Sequence, residues 1–171
     1  MHSLRHISGW FGVVLVVLLA CTGCTYAALQ KLTAEERSEF HIYHKVMNAA
    51  QERAYLAKTT AAERTAYLAA IGLTQRFQAL APLDRDAVLG GIPRQGMSAE
   101  ALRFLWGEPY TTAGDATRYA HWFYLGSSIA LAEYGNQYSA GGNRVDVYLV
   151  DGHVVGWVDY TPSSPQRRRF L

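Results

Sequence analysis

Side chains suited to nucleophilic, acid–base or metal chemistry are few in this 171-residue chain, and they are spaced far apart. The two cysteines, Cys21 and Cys24, sit together near the N-terminus. Two are too few for a disulfide scaffold or a zinc ribbon, and a pair at the edge of a leader is poorly placed for a catalytic thiolate. His41 and His44 stand three apart, as two ligands of one metal on a helix would, but no third ligand follows at a recognisable spacing. His121 lies in an aromatic run, where a packed imidazole is the commoner role than a general base. No Gly-x-Ser-x-Gly elbow, no His-Glu-x-x-His pair and no phosphate-cradling glycine loop occurs. The expectation is a non-enzymatic protein with no metal and no cofactor. The enzyme-class alternative is a hydrolase or metal protein using His41, His44 or His121.

The elements that carry these residues begin with a leader. Arg5 precedes an apolar run over residues 10–20, WFGVVLVVLLA, in the layout of an export signal. Leu18-Leu19-Ala20-Cys21 resembles a lipobox, in which a peptidase cuts before a cysteine already carrying a lipid. Cys21 is the expected lipidation site. Cys24, in Cys21-Thr22-Gly23-Cys24, is the alternative with a poorer residue at −3. The competing reading is an uncleaved inner-membrane anchor, since residues 7–29 carry no charge and are long enough to span a bilayer of about 30 Å. Either way the remainder is exported. Thr rather than Asp at position 22 makes the periplasmic face of the outer membrane the default destination.

A helical half follows a short tether at residues 21–31. Thr33-Ala34-Glu35-Glu36 and Thr60-Ala61-Ala62-Glu63 are capping boxes. Phe40, Tyr43, Met47, Ala50 and Ala54 recur at helical steps, which predicts one helix from Thr33 to about Lys58. A second helix behind Thr60 completes a hairpin and stops or bends at Gly72. Further pieces carry Phe77 and Leu80, then Pro82–Leu89, closed by Gly90-Gly91. The histidine pair reads as a solvated or membrane-facing polar surface.

The last third has its own punctuation. Ser98 is a natural N-cap, Leu102, Leu105 and Trp106 make an apolar face, and Gly107 and Pro109 end the helix. Tyr119–Leu125 is an aromatic strand, residues 129–134 either pair with it or belong to the following loop, and residues 135–143 are a loop. Arg144–Val150 and His153–Tyr160 flank Asp151-Gly152, a type I′ hairpin signal. A plain two-residue turn pairs Tyr148 with Val155 and Arg144 with Asp159, the latter as a cross-strand ion pair. It puts Val145, Val147, Leu149, Val154 and Val158 on the core face and Tyr148, Val155 and Trp157 outside. Tyr148, Trp157, Trp122 and Tyr124 are the candidate interaction surface. Arg167-Arg168-Arg169 reads as a solvated or membrane-surface patch.

Composition bounds the rest. Half the residues are hydrophobic and 18% charged, which excludes a disordered chain, and 16 basic against 14 acidic residues leave no footprint for nucleic acid. The divisions expected are a signal peptide at 1–20, the lipidated tether at 21–31, the helical segment at 32–91, an α+β unit at 92–161 and a basic tail at 162–171. The fold expected is α+β: a helical hairpin, then a short helix packed on a small antiparallel sheet of about three strands.

The lipobox, Gly96-Met97-Ser98, the helix ending Gly107-Glu108-Pro109, Trp122-Phe123-Tyr124 and the terminal hairpin together resemble the SmpA/OmlA (BamE-like) outer-membrane lipoproteins. The resemblance covers residues 92–160. It implies two short helices against a three-stranded antiparallel sheet, and association with the machinery that inserts β-barrel proteins into the outer membrane. The partners expected are the membrane, through the N-terminal lipid, and other envelope proteins. The helical segment and the long stretch at 127–143 depart from the family pattern.

Overall fold

A computed structural model describes residues 27–115, 118–137 and 142–160. The lipobox, with both cysteines, and the basic tail lie outside the described residues.

Local capping signals are realised atom by atom in the helical half. Helix α1 (Ala34–Tyr43) starts at Thr33, whose side chain accepts from Glu36 N while the Glu36 carboxylate accepts from Thr33 N. Each such cap contributes about 1 kcal/mol. The expected single helix to Lys58 is broken, however. After α1 comes a 3₁₀ turn (His44–Val46), Met47 is extended, and α2 (Ala49–Leu56) starts afresh on Asn48. The cause is a third capping box: Asn48 accepts from Ala50 N and Gln51 N, and Gln51 reaches back to Asn48 N. This offers the backbone a better arrangement than uninterrupted helix.

Helix α3 (Ala61–Ala70) packs back on α2 from its Thr60 box, completing the hairpin. Gly72 sits at φ +79, where a side chain would be strained, and separates α3 from α4 (Leu73–Gln78). Helix α5 (Pro82–Leu89) has proline in its first turn, and α6 (Ala99–Trp106) is capped by Ser98. The α6 face of Ala101, Leu102, Phe104, Leu105 and Trp106 is wholly buried.

The sheet has four antiparallel strands in the order β1-β2-β3-β4, with β1 Thr111–Asp115, β2 Tyr119–Leu125, β3 Arg144–Val150 and β4 His153–Tyr160. The class is α+β as expected, with one strand more than the count of three. The extra strand, TTAGD, is exposed along its whole length and has little strand-forming character of its own. It forms by pairing with β2. Residues 128–134 are neither strand nor loop: Ser127 caps a helix, α7 (Ser128–Tyr134), by accepting from Ala130 N.

One core joins the two halves. Tyr43 of α1 and Phe77 of α4 meet Phe104 of α6 edge-on, with ring centroids 6.1 and 5.6 Å from it, and Trp106 meets Tyr124 of β2 at 5.4 Å. Asp84 of α5 ties helix to helix. Its buried carboxylate accepts from Ser98 N at 3.0 Å and pairs with Arg94.

The terminal hairpin turns at Asp151-Gly152, both at positive φ, and begins in the expected register with Val150 opposite His153 and Leu149 opposite Val154. A bulge at Val155 then shifts every later pair: Tyr148 faces Gly156, Val147 faces Trp157 and Asp146 faces Val158. In the plain register Gly156 would leave a gap opposite Val147 while the indole of Trp157 stood in water. One extra residue on β4 moves Trp157 into that gap, against the core. Val158 moves to the outer side, where it is exposed. The Arg144–Asp159 pairing is also overturned. Arg144 lies opposite Tyr160, while Asp159 accepts from Ser128 N and Oγ at the start of α7.

Candidate interaction surface

Cross-strand partners share a face, so the register sorts every strand residue. The inner face presents Ala120, Trp122 and Tyr124 of β2, Val145, Val147 and Leu149 of β3, and Val154 and Trp157 of β4. Helix α6 covers it: the Arg103 guanidinium lies 4.6 Å from the Trp122 ring centroid, and Tyr124 donates to Gly107 O at 3.3 Å. Trp122 and Tyr124 are therefore core residues, contrary to their expected place on an interaction surface, and Trp157 is half-buried beside them. Of the four expected surface aromatics only Tyr148 faces outward.

The outer face assembles a group that no spacing in the sequence announced. His121 of β2 stacks on Tyr148 of β3, centroids 4.4 Å apart with planes at 20°, and lies 4.0 Å from the ring of Phe123. Asp146, only 3% exposed, sits between two cations or potential cations. Arg144 Nε is 2.8 Å from its Oδ1, and His121 Nε2 is 3.5 Å from its Oδ2. The same guanidinium lies 4.7 Å from the Tyr160 ring centroid. Tyr119, Val150, Val158 and Tyr160 surround this centre and are exposed. The face thus offers flat aromatic and aliphatic area around a charged centre, the composition of a protein-docking patch. His121 and Asp146 approach a dyad, but no serine or cysteine shares the described outer face to serve as its nucleophile.

The histidine pair at the end of α1 is half-buried, where a solvated or membrane-facing surface was expected. His44 stacks on Phe40 at 5.1 Å, and burial lowers its pKa to about 4, keeping it neutral. The His41 ring centroid lies 5.8 Å from that of His44, and burial together with Lys45 lowers its pKa. Lys45 Nζ stands 3.4 Å from His41 Nε2. Among the described residues no group of three His, Cys, Asp or Glu side chains comes together to hold a metal.

Lys45 itself had no signal in the sequence. It is 8% exposed, donates to Ala132 O of α7, and is held by burial at a pKa of about 8. It joins the 3₁₀ turn of the helical half to the helix between β2 and β3. Two glycines let the chain close around it: a Cβ on Gly107 would meet Lys45 O at 3.2 Å, and one on Gly135 would meet Lys45 Cγ at 3.2 Å.

No helix among the described residues is long and apolar enough to cross a membrane. Comparison with protein-family profiles, with characterised proteins and with solved structures yields no match to this chain.

Proposed function

We propose that this protein is an envelope lipoprotein, held at the periplasmic face of the outer membrane by acyl chains on Cys21, whose outer sheet face docks another envelope protein without catalysing a reaction. The observation that carries the docking role is the sheet face that no described element covers, where Tyr119, His121, Phe123, Tyr148 and Tyr160 surround the Arg144–Asp146 pair. The anchor rests on Leu18-Leu19-Ala20-Cys21 behind an apolar run. Residues 92–160 resemble the SmpA/OmlA lipoproteins, which favours a partner in β-barrel assembly.

The test is capture from solubilised envelopes by the full protein and by a Tyr148→Glu, Val158→Glu variant. Both changes fall on half-buried or exposed outer positions, so the fold survives while docking fails. Equal capture of partners by the two proteins refutes the surface, and a partner set without β-barrel assembly components refutes the assembly role. An inner-membrane anchor is the second reading, favoured by the uncharged stretch that precedes the fold. Cys21→Ala separates the two: under the lipoprotein reading it abolishes acylation and leaves the leader attached, and under the second it changes neither size nor membrane attachment.

A further inference from the structure

Two features of the outer sheet face are not accounted for by the fold of this chain. The first is Arg144. Its guanidinium is half-exposed, held beside Asp146 by charge and laid 4.7 Å from the Tyr160 ring centroid, yet Asp146 Oδ1 takes no hydrogen bond from it. Among the described residues none of its side-chain N–H groups is aimed at an acceptor. An arginine already fixed by a carboxylate and a ring, with its donors uncommitted, has little freedom left to lose when an acceptor arrives. Of the described strand residues on this face it alone is a lysine or arginine. The second feature is Gly156, in the middle of β4 and opposite Tyr148. It keeps an ordinary φ, so the bulge at Val155 does not demand a glycine there, and a Cβ would meet no atom within 4 Å. A glycine inside a strand weakens it and commonly marks the close approach of another chain. Here it leaves a notch bordered by Tyr148 across the strand pair and by Val158 along β4.

We propose that the partner of this face is a protein segment bearing a carboxylate, which takes the open edge of the Arg144 guanidinium, and a bulky apolar side chain, which fills the notch over Gly156. Arg144 stands opposite Tyr160, four residues along β4 from Gly156, so the two points lie about 13 Å apart. The inference rests on the reading of the outer face as a docking surface, and it names the chemistry of what docks. A planar carboxylate matches the guanidinium fork with two parallel N–H donors. It suits this face better than a phosphate, because one arginine already backed by Asp146 is the whole of its fixed positive charge and the surroundings are aromatic and aliphatic.

The test selects binders from a displayed library of random twelve-residue peptides on the full protein in detergent, and measures each selected peptide by fluorescence anisotropy on three variants. Tyr148→Glu, Val158→Glu identifies the peptides that use the face. Arg144→Lys keeps a cation beside Asp146 but removes the planar fork, and Gly156→Leu grows into open space. Urea unfolding of each variant reports that the fold is retained. The expected result is peptides that fail on the double variant, contain an acidic and a bulky apolar residue, and bind at least about tenfold more weakly to both Arg144→Lys and Gly156→Leu. Replacing the peptide's acid by its amide should cost a similar factor on the unsubstituted protein and little on Arg144→Lys. Peptides that need the face but carry no acid, or that bind the two single variants undiminished, overturn the proposed chemistry and leave the docking surface standing. Weakening on only one of the two overturns the two-point arrangement. Displacement by inorganic phosphate at concentrations where acetate has no effect overturns the carboxylate in favour of a phosphate-bearing ligand. If every selected peptide binds the double variant in full, the docking surface itself is refuted and this inference falls with it.

Discussion

Lys45 makes the stability of this protein depend on pH in a way that can be worked out in advance. Burial lowers its pKa from 10.5 to about 8 in the folded state, and the nearby Glu133 only partly offsets this. Unfolded, the amine returns to its ordinary value. Between these two values the unfolded chain binds more protons than the folded one, so stability rises with pH across that window. Below pH 8 the folded protein bears the whole cost of burying the charge, about 3 kcal/mol at 1.36 kcal/mol per pKa unit. Raising the pH from 7 to 9 relieves on the order of 1 kcal/mol of it. Lys45→Met removes the cost but also the charge-assisted bond to Ala132 O, worth about 1.5–3 kcal/mol, so the two nearly cancel at pH 7. The slope, not the midpoint, is therefore diagnostic. In urea unfolding followed by tryptophan fluorescence at pH 7, 8 and 9, the difference in stability between the unsubstituted protein and Lys45→Met should shift by on the order of 1 kcal/mol in favour of the unsubstituted protein. A difference that stays constant across that range refutes the reasoning, because it would mean that Lys45 keeps the same proton in both states.

Two further outcomes test the packing and the register. Asp84→Ala should cost about 1–3 kcal/mol, since it leaves the Ser98 N–H without its acceptor and takes the carboxylate partner from the half-buried Arg94. Burial alone would raise the Asp84 pKa, but the hydrogen bonds from Ser98 and the Arg94 guanidinium outweigh it and lower the value. Its contribution is therefore present above pH 4 and lost as pH falls through the folded pKa, so acid unfolding of Asp84→Ala should be shallower than that of the unsubstituted protein. A double-mutant cycle for Arg144 and Asp159 should give coupling near zero, whereas Arg144 and Asp146 should couple by about 0.5 kcal/mol or more. The opposite ranking would restore the unbulged hairpin.

Much of this architecture is legible in short windows of the chain. Thr33, Thr60 and Ser98 start helices because a side-chain oxygen three residues from a backbone N–H needs no distant partner. Gly72 and Asp151-Gly152 mark turns because few residues tolerate positive φ. The break at Met47 was equally legible, since Asn48-Ala49-Ala50-Gln51 is itself a capping box, although the apolar periodicity running through it suggested one helix.

The outer-face site was not legible in the same way. Its members come from β2, β3 and β4, brought together by strand pairing, and which side the β4 members occupy depends on a bulge that puts Trp157, and not Gly156, in the space beside Val147. Strand β1 likewise has no identity apart from its pairing with β2. Lys45 reads as an ordinary helix-face cation until α7 and the glycines at 107 and 135 close over it. What the sequence by itself determined was the helix starts at Thr33, Thr60 and Ser98, the turns at Gly72 and Asp151-Gly152 and the α+β class, because these follow from hydrogen bonds and dihedral limits within a few residues. Which aromatics are core and which are surface, and which charge is buried, was decided by the tertiary structure alone, because burial depends on groups far apart in the chain competing to fill the same volume.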